Sequence, residues 1–122
     1  MEQIKITIHS FVKGGDNNDV NLLDEILHPQ FQNIQDGFFA KKGIYVFSKA
    51  EYIELVRNKT FGGSARTFIF ESLEQLGNIA ISKVLLESEY LKFASTIICV
   101  YEKDKWQVIN NTPRIVVKQI ES

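Results

Sequence analysis

The sequence predicts a single α+β domain over residues 1–122, with three N-terminal helices packed on one face of a mainly antiparallel sheet. Two observations carry this. Helical apolar spacing dominates the first half of the chain and two-residue alternation the second, the order expected when helices are segregated to one side of a sheet. Between Thr67 and Val117, moreover, the strand-like segments carry apolar residues at both parities. Ile79, Ile81 and Leu85 oppose Ala80, Val84 and Leu86, while Phe93, Ile97 and Cys99 oppose Ala94, Ile98 and Val100. Such a sheet has two faces to hide. One suits the chain's own helices; the other is expected to cover a partner chain, giving a homodimer.

The elements follow in order. Ile4, Ile8, Phe11 and Val12 predict an amphipathic helix over residues 2–13, stopped by Gly14 and Gly15. Asp16, Asn17, Asn18 and Asp19 offer N-caps for a second helix with Leu22, Leu23, Ile26 and Leu27 on its apolar face, closed by Pro29. Residues 31–35 and 43–47 read as a short strand pair around the Asp36-Gly37 turn signal. Ser48 and Glu51 form a capping box for a third helix over 49–58, carrying Tyr52, Ile53, Leu55 and Val56. Gly62 and Gly63 predict a flexible loop. Long strands are expected near 67–76, 79–88, 90–102 and 105–117, with turns at Gly77-Asn78, Ser88-Glu89 and Asp104.

Composition narrows the function classes. Fourteen basic residues against fifteen acidic ones, scattered rather than clustered, leave no electrostatic footprint for nucleic acid or an anionic membrane. One cysteine excludes an internal disulfide, and two histidines with that cysteine predict no zinc site. No cofactor is expected. Residues 1–12 lack the apolar run of a signal peptide, and no stretch has the length of a membrane-spanning helix, so a cytoplasmic location is expected.

Several local strings, in order, resemble the nuclear transport factor 2-like superfamily. Leu27-His28-Pro29-Gln30-Phe31 is similar to the helix-to-strand corner of its SnoaL-like and putative lumazine-binding branches. Val46-Phe47-Ser48-Lys49-Ala50-Glu51-Tyr52 is similar to their strand-to-helix junction. Phe93 to Val100, followed by Asp104-Lys105-Trp106-Gln107-Val108-Ile109-Asn110, is similar to their last two strands. The resemblance implies a cone-shaped, cystatin-like fold: a curved sheet around three helices, a pocket at the open end, and dimers through the sheet. It implies no single activity, because isomerases, dehydratases, cyclases, hydrolases and binding domains share the fold.

Asp36 is the candidate catalytic residue. Its place before Gly37 is similar to that of the general base in the ketosteroid isomerase branch, and a carboxylate near Phe38 and Phe39 is suited to moving a proton. The branch also needs a tyrosine on the first helix and an aspartate on a long strand. Here Phe11 lacks the hydroxyl, and residues 93–100 contain no carboxylate. Ser95 and Thr96 stand where relatives often carry Asp-Tyr. Asp36-Gly37 is also an ordinary turn pair, and that reading is preferred. His28 is read as a partner for helix-end carbonyls rather than a catalyst, since His9 is its only companion. Glu71 shares the parity of Ile69 and Leu73, which predicts an inward carboxylate. Tyr45, Tyr52, Tyr90, Tyr101 and Trp106 offer aromatic walls, with Trp106 also suited to the core or an interface.

The expected site thus comprises Phe11, Phe31, Asp36, Tyr52, Glu71 and Trp106 around an apolar or aromatic small ligand. The leading expectation is a homodimeric small-ligand-binding domain without a complete catalytic set. The alternatives are an isomerase, cyclase or dehydratase on a cyclic or polyketide-like substrate with Asp36 as base, and a protein interaction module.

Overall fold

A computed structural model describes residues 1–118; residues 119–122, the end of the expected domain, lie outside the described residues. Helix α1 (Glu2–Asp16) buries Ile4, Ile8, Phe11 and Val12, as the periodicity requires. It does not stop at Gly14. A Cβ on Gly14 would lie 2.9 Å from Leu23 Cδ2, so this glycine serves the close approach of α1 to the next helix. The turn falls instead at Asn17 and Asn18, the latter at φ 49°.

Helix α2 (Val20–Ile26) is capped by Asp19, whose carboxylate accepts from the Leu22 amide at 3.1 Å. It ends before Leu27, which opens strand β1 (Leu27–Phe38) and is buried from the strand rather than the helix. Pro29 therefore sits early in a strand, in a stretch where pairing with the neighbouring strand is irregular and no amide is required of it. The α2 carbonyls find donors from elsewhere. Lys49 Nζ reaches Asp24 O at 2.7 Å and Leu27 O at 2.9 Å, and Gln107 Nε2 reaches Glu25 O at 3.0 Å. This corrects the expected role of His28 at the helix end. His28 Nδ1 accepts from the Gln30 amide at 3.0 Å, which places the ring proton on Nε2, 2.9 Å from Glu102 Oε1.

Strand β1 pairs antiparallel with β2 (Lys41–Ser48). Phe38 opposes Lys41, leaving the tight turn at Phe39-Ala40, and Gly37 at φ 93° forms a bulge in the strand. Asp36-Gly37 is thus a strand irregularity, not the turn. Helix α3 (Lys49–Arg57) carries the expected capping box, with Ser48 Oγ accepting from the Glu51 amide at 3.2 Å and Glu51 Oε1 from the Ser48 amide at 2.9 Å. Hydrogen bonding to the carboxylate from Ser48, first from its amide and then from its side chain, favours the charged form and lowers the Glu51 pKa.

The segment between α3 and the third strand is pinned, contrary to the flexibility its glycines predict. Asn18 Nδ2 donates to Val56 O at 2.9 Å and Phe61 O at 3.1 Å, and the Gly63 amide donates to Gly15 O at 3.1 Å. Gly62, at φ 78°, passes so close that a Cβ would sit 2.1 Å from Gly15 O. The glycines are needed for contact with the end of α1.

Strands β3 (Thr67–Leu76), β4 (Ile79–Glu87), β5 (Leu91–Glu102) and β6 (Lys105–Val117) form the expected meander. Lys103 and Asp104 at φ 54° and 64° make a primed turn matched to strand twist. The six strands are ordered β2-β1-β6-β5-β4-β3, antiparallel throughout except for the parallel junction of β1 with β6. Bulges in β1, β3 and β6 add curvature, and the sheet wraps the helices without closing.

Alternation sorts the two faces as expected. Ala80, Val84, Leu86, Ile97, Cys99 and Val108 are buried against the helices. Ile69, Leu76, Ile79, Ile81 and Leu85 are exposed on the outer face. Glu71 corrects the parity argument. It is the extra residue of the β3 bulge between Phe70 and Ser72, and it is exposed. The bulge shifts the inward register from Phe68 and Phe70 to Leu73, so residues two apart across it do not share a face.

Candidate functional site

The sheet curves away from the helices at one end, and a cavity of about 540 Å³ remains between α1, α3, the 58–66 segment and the inner faces of β1, β5 and β6. Its walls are mainly aromatic and aliphatic: Phe11, Tyr52, Phe61, Phe93, Ile97 and Ile115 all border it. Phe11 and Tyr52 stack at 6.0 Å between ring centroids. Burial pushes the Tyr52 phenol up to about 12, so at neutral pH the cavity meets a protonated hydroxyl. Cys99, under the same sheet face, is also pushed up to about 12 by burial and is an inert core thiol.

Besides the hydroxyls of Thr60, Ser64, Ser88 and Ser95 on its walls, two sets of hydrogen-bonded polar groups border this space. The first is a buried ion pair. Arg66 Nε donates to Asp16 Oδ1 at 2.6 Å and the Arg66 amide to Asp16 Oδ2 at 3.3 Å, while the guanidinium lies 4.8 Å above the Phe93 ring. The second is a line of amides. Asn111 Nδ2 donates to Asn33 Oδ1 at 2.8 Å, Asn33 Nδ2 to Gln35 Oε1 at 2.8 Å, and Gln35 Nε2 to Gly37 O at 3.0 Å. Asn33, Gln35 and Asn111 are buried and border the cavity.

The expected site residues separate into three groups. Phe11, Tyr52 and Asp36 border the cavity. Phe31 lies behind it in the core, its ring 6.1 Å from Phe11 and 5.2 Å from Tyr52. Glu71 and Trp106 are not brought to it: Glu71 is exposed on the β3 bulge, and Trp106 packs at the far end of β6 with its ring 5.4 Å from Tyr101. Asp36 reaches only the rim. The alternation that turns Asn33 and Gln35 inward turns Asp36 outward, opposite the exposed Ile44 of β2.

Sequence reasoning passed over Asp16, Asn33, Gln35, Arg66 and Asn111. For Asn33 and Gln35 a signal existed: they share the parity of buried Phe31, and polar residues on a core-facing strand row require partners. Arg66 gave none, because it lies in a glycine-rich connection fifty positions from Asp16.

At the opposite end of the sheet, a groove of about 690 Å³ runs past His28, Lys49, Glu102 and Lys105. It is open and charged on both sides, and Glu102 is largely exposed, so its pair with His28 is a weak surface contact. Among the described residues no group of histidine, cysteine and carboxylate side chains is placed to hold a metal ion, and no helix is long and apolar enough to cross a membrane.

Comparison with solved structures agrees with the cone-shaped architecture. An NTF2-like protein of unknown function from Silicibacter pomeroyi superposes with a TM-score of 0.80 at 13% identity, covering 94% of each chain. An NTF2-like protein of unknown function from Shewanella baltica gives a TM-score of 0.80 at 13% identity, covering 94% of this chain and 92% of that one. A ketosteroid isomerase-like protein from Erwinia carotovora atroseptica gives 0.78 at 10% identity, over 94% of this chain and 95% of that one. At such identities the likeness is one of fold. No match was found among curated proteins. The solved structures share its fold, and the family model described as "Putative lumazine-binding" matches residues 1–112: the chain belongs to that family.

Proposed function

We propose that this protein is a small-ligand-binding domain that takes a neutral aromatic molecule into the cavity between α1, α3 and the sheet. The observation that carries the reading is the composition of the walls: aromatic rings and aliphatic side chains, with the interior carboxylate of Asp16 already committed to Arg66 and Asp36 held at the rim. The surroundings suit recognition better than proton transfer, which needs an inward base and a donor set for the developing charge. The family description names lumazine, a flat bicyclic heteroaromatic, and a molecule of that shape matches walls made by Phe11, Tyr52, Phe61 and Phe93.

Calorimetric titration with lumazine and with 2-naphthol is expected to give saturable binding of at least one of them. Replacing buried Ser95 by Phe, which fills the sheet side of the cavity, should abolish it while far-ultraviolet circular dichroism remains native. The reading fails if neither compound binds up to roughly 1 mM, the weak end of specific recognition.

The same reading includes a homodimer formed through the outer sheet face. Ile69, Leu76, Ile79, Ile81 and Leu85 lie together there across β3 and β4, an apolar surface that favours burial against its own copy. Light scattering after size exclusion should give twice the chain mass at micromolar concentration, and Ile81→Glu should halve it. A wild-type monomer would exclude this arrangement and favour a different protein as the occupant.

A further inference from the structure

We propose that the cavity selects ligands that present a neutral carbonyl oxygen, and that the Tyr52 hydroxyl and the Arg66 guanidinium are the two donors that hold it. This assignment rests on the cavity being a ligand site and adds the chemistry of the ligand.

Both groups stand on the wall, and the fold leaves donors on each of them unused. Tyr52 and Arg66 border the cavity. Two nitrogens of the guanidinium are engaged at the end of α1, Nε by Asp16 Oδ1 at 2.6 Å and Nη2 by Val12 O at 3.4 Å, and one of its faces lies on the ring of Phe93, itself part of the wall. That leaves Nη1, with two N–H groups and no acceptor among the described residues. The Tyr52 ring packs against Phe11, Phe31 and Phe61, contacts that give its hydroxyl no hydrogen-bond partner among the described residues. Neither atom is sealed off. Among the described residues that are not exposed, Asn111 Oδ1 alone is both unpaired and closed to solvent, so Tyr52 Oη and Arg66 Nη1 are unpaired and open to it. Whatever enters the cavity in place of solvent meets them.

The two donors also lie close together. After burial, the influences on the Tyr52 phenol are the Arg66 charge, which lowers its pKa, and the Asp16 charge, which raises it. Arg66 Nη1 can only donate, so a single ligand atom that meets both groups must accept.

The ion pair sets the ligand's charge. Arg66 is the one cation among the described residues bordering the cavity, and Asp16, with its side chain 2% exposed, already balances it. A ligand carboxylate would bring a second anion up to that pair, with no further cation to offset its desolvation. A ligand cation would meet Arg66. A neutral carbonyl takes both hydrogen bonds without changing the net charge of the site, and a charged donor makes the stronger kind of bond. The ligand class is therefore an aromatic ketone, lactam or cyclic imide.

The test compares 1-indanone with indane, which share a bicyclic skeleton and differ in the carbonyl, by calorimetric titration. Wild-type protein is expected to bind 1-indanone about tenfold or more tightly, the effect of donors that would otherwise lose their water unpaired. Tyr52→Phe, which keeps the ring, and Arg66→Lys, which keeps a cation for Asp16, should each reduce that preference several-fold while indane binds as before. Equal wild-type affinities, a preference for indane, or a preference unchanged in either variant would overturn the donor pair. If lumazine or 2-naphthol binds and 1-indanone does not, this assignment falls and the cavity reading stands; if none of the four compounds binds, both fall. Wild type and Tyr52→Phe decide the matter even if Arg66→Lys does not fold.

Discussion

Replacing Asp16 by Ala is expected to destabilise the domain by about 3–5 kcal/mol, the range for removing one partner of a buried ion pair. The Asp16 side chain is 2% exposed and that of Arg66 16%, so solvent screens the remaining charge poorly. Two features raise the stakes. Asp16 ends α1, where the helix dipole is negative and a carboxylate is disfavoured unless a cation faces it. Arg66 also donates to Val12 O at 3.4 Å, so the guanidinium serves an orphan carbonyl of the helix end as well as the carboxylate. Arg66→Met should cost a similar amount, by stranding Asp16. The double variant Asp16→Asn with Arg66→Met should recover much of the loss, because an apolar stem on Phe93 and a neutral amide carry no unpaired charge. Urea unfolding of wild type, Asp16→Asn, Arg66→Met and the double variant gives the coupling energy directly. Single-variant losses under about 1 kcal/mol would mean that the pair is compensated by solvent like a surface pair.

That ion pair also marks where the sequence stops being readable. What lies within a few positions was legible. Ser48 and Glu51 announced the α3 cap because both hydrogen bonds close within one helical turn. The β4 and β5 faces followed from alternation, since nothing interrupts the pairing of Ile79–Glu87 with its neighbour. Where one residue is added, the same rule misleads: the β3 bulge turned Glu71 out, and the β1 bulge placed Gly37 inside a strand instead of a turn. Gly14, Gly15, Gly62 and Gly63 were misread for a different reason. Locally, glycine signals a stop or flexibility; here Gly14 and Gly62 admit Leu23 and the Gly15 backbone, neighbours that only the tertiary fold supplies. The site itself was half legible. Phe11 and Tyr52 followed from helix faces, but the line from Gly37 through Gln35 and Asn33 to Asn111 joins strands far apart in the chain.

Phe31→Ala is expected to cost about 3–5 kcal/mol, the range for deleting a fully buried aromatic ring. Phe31 is 1% exposed, and its ring is where α1, α3 and β1 meet through Phe11 and Tyr52. Collapse into the space it leaves is hindered on the cavity side, because Phe11 and Tyr52 already border an open volume and closing over Phe31 would draw them out of the wall. The loss should therefore fall at the upper end of that range, and the variant's cavity should widen toward the core. Phe31→Leu, which keeps most of the apolar volume, should cost markedly less. Phe39→Ala provides the contrast: Phe39 is 74% exposed at the turn between β1 and β2, and its loss should stay within about 0.5 kcal/mol. Denaturant unfolding of the three variants, with unchanged m-values, would establish the ranking. If Phe31→Ala cost no more than Phe39→Ala, the junction of the two helices with β1 would not be the centre of the core. The wall of the cavity would then owe its rigidity to the 58–66 segment and the Asp16–Arg66 pair instead.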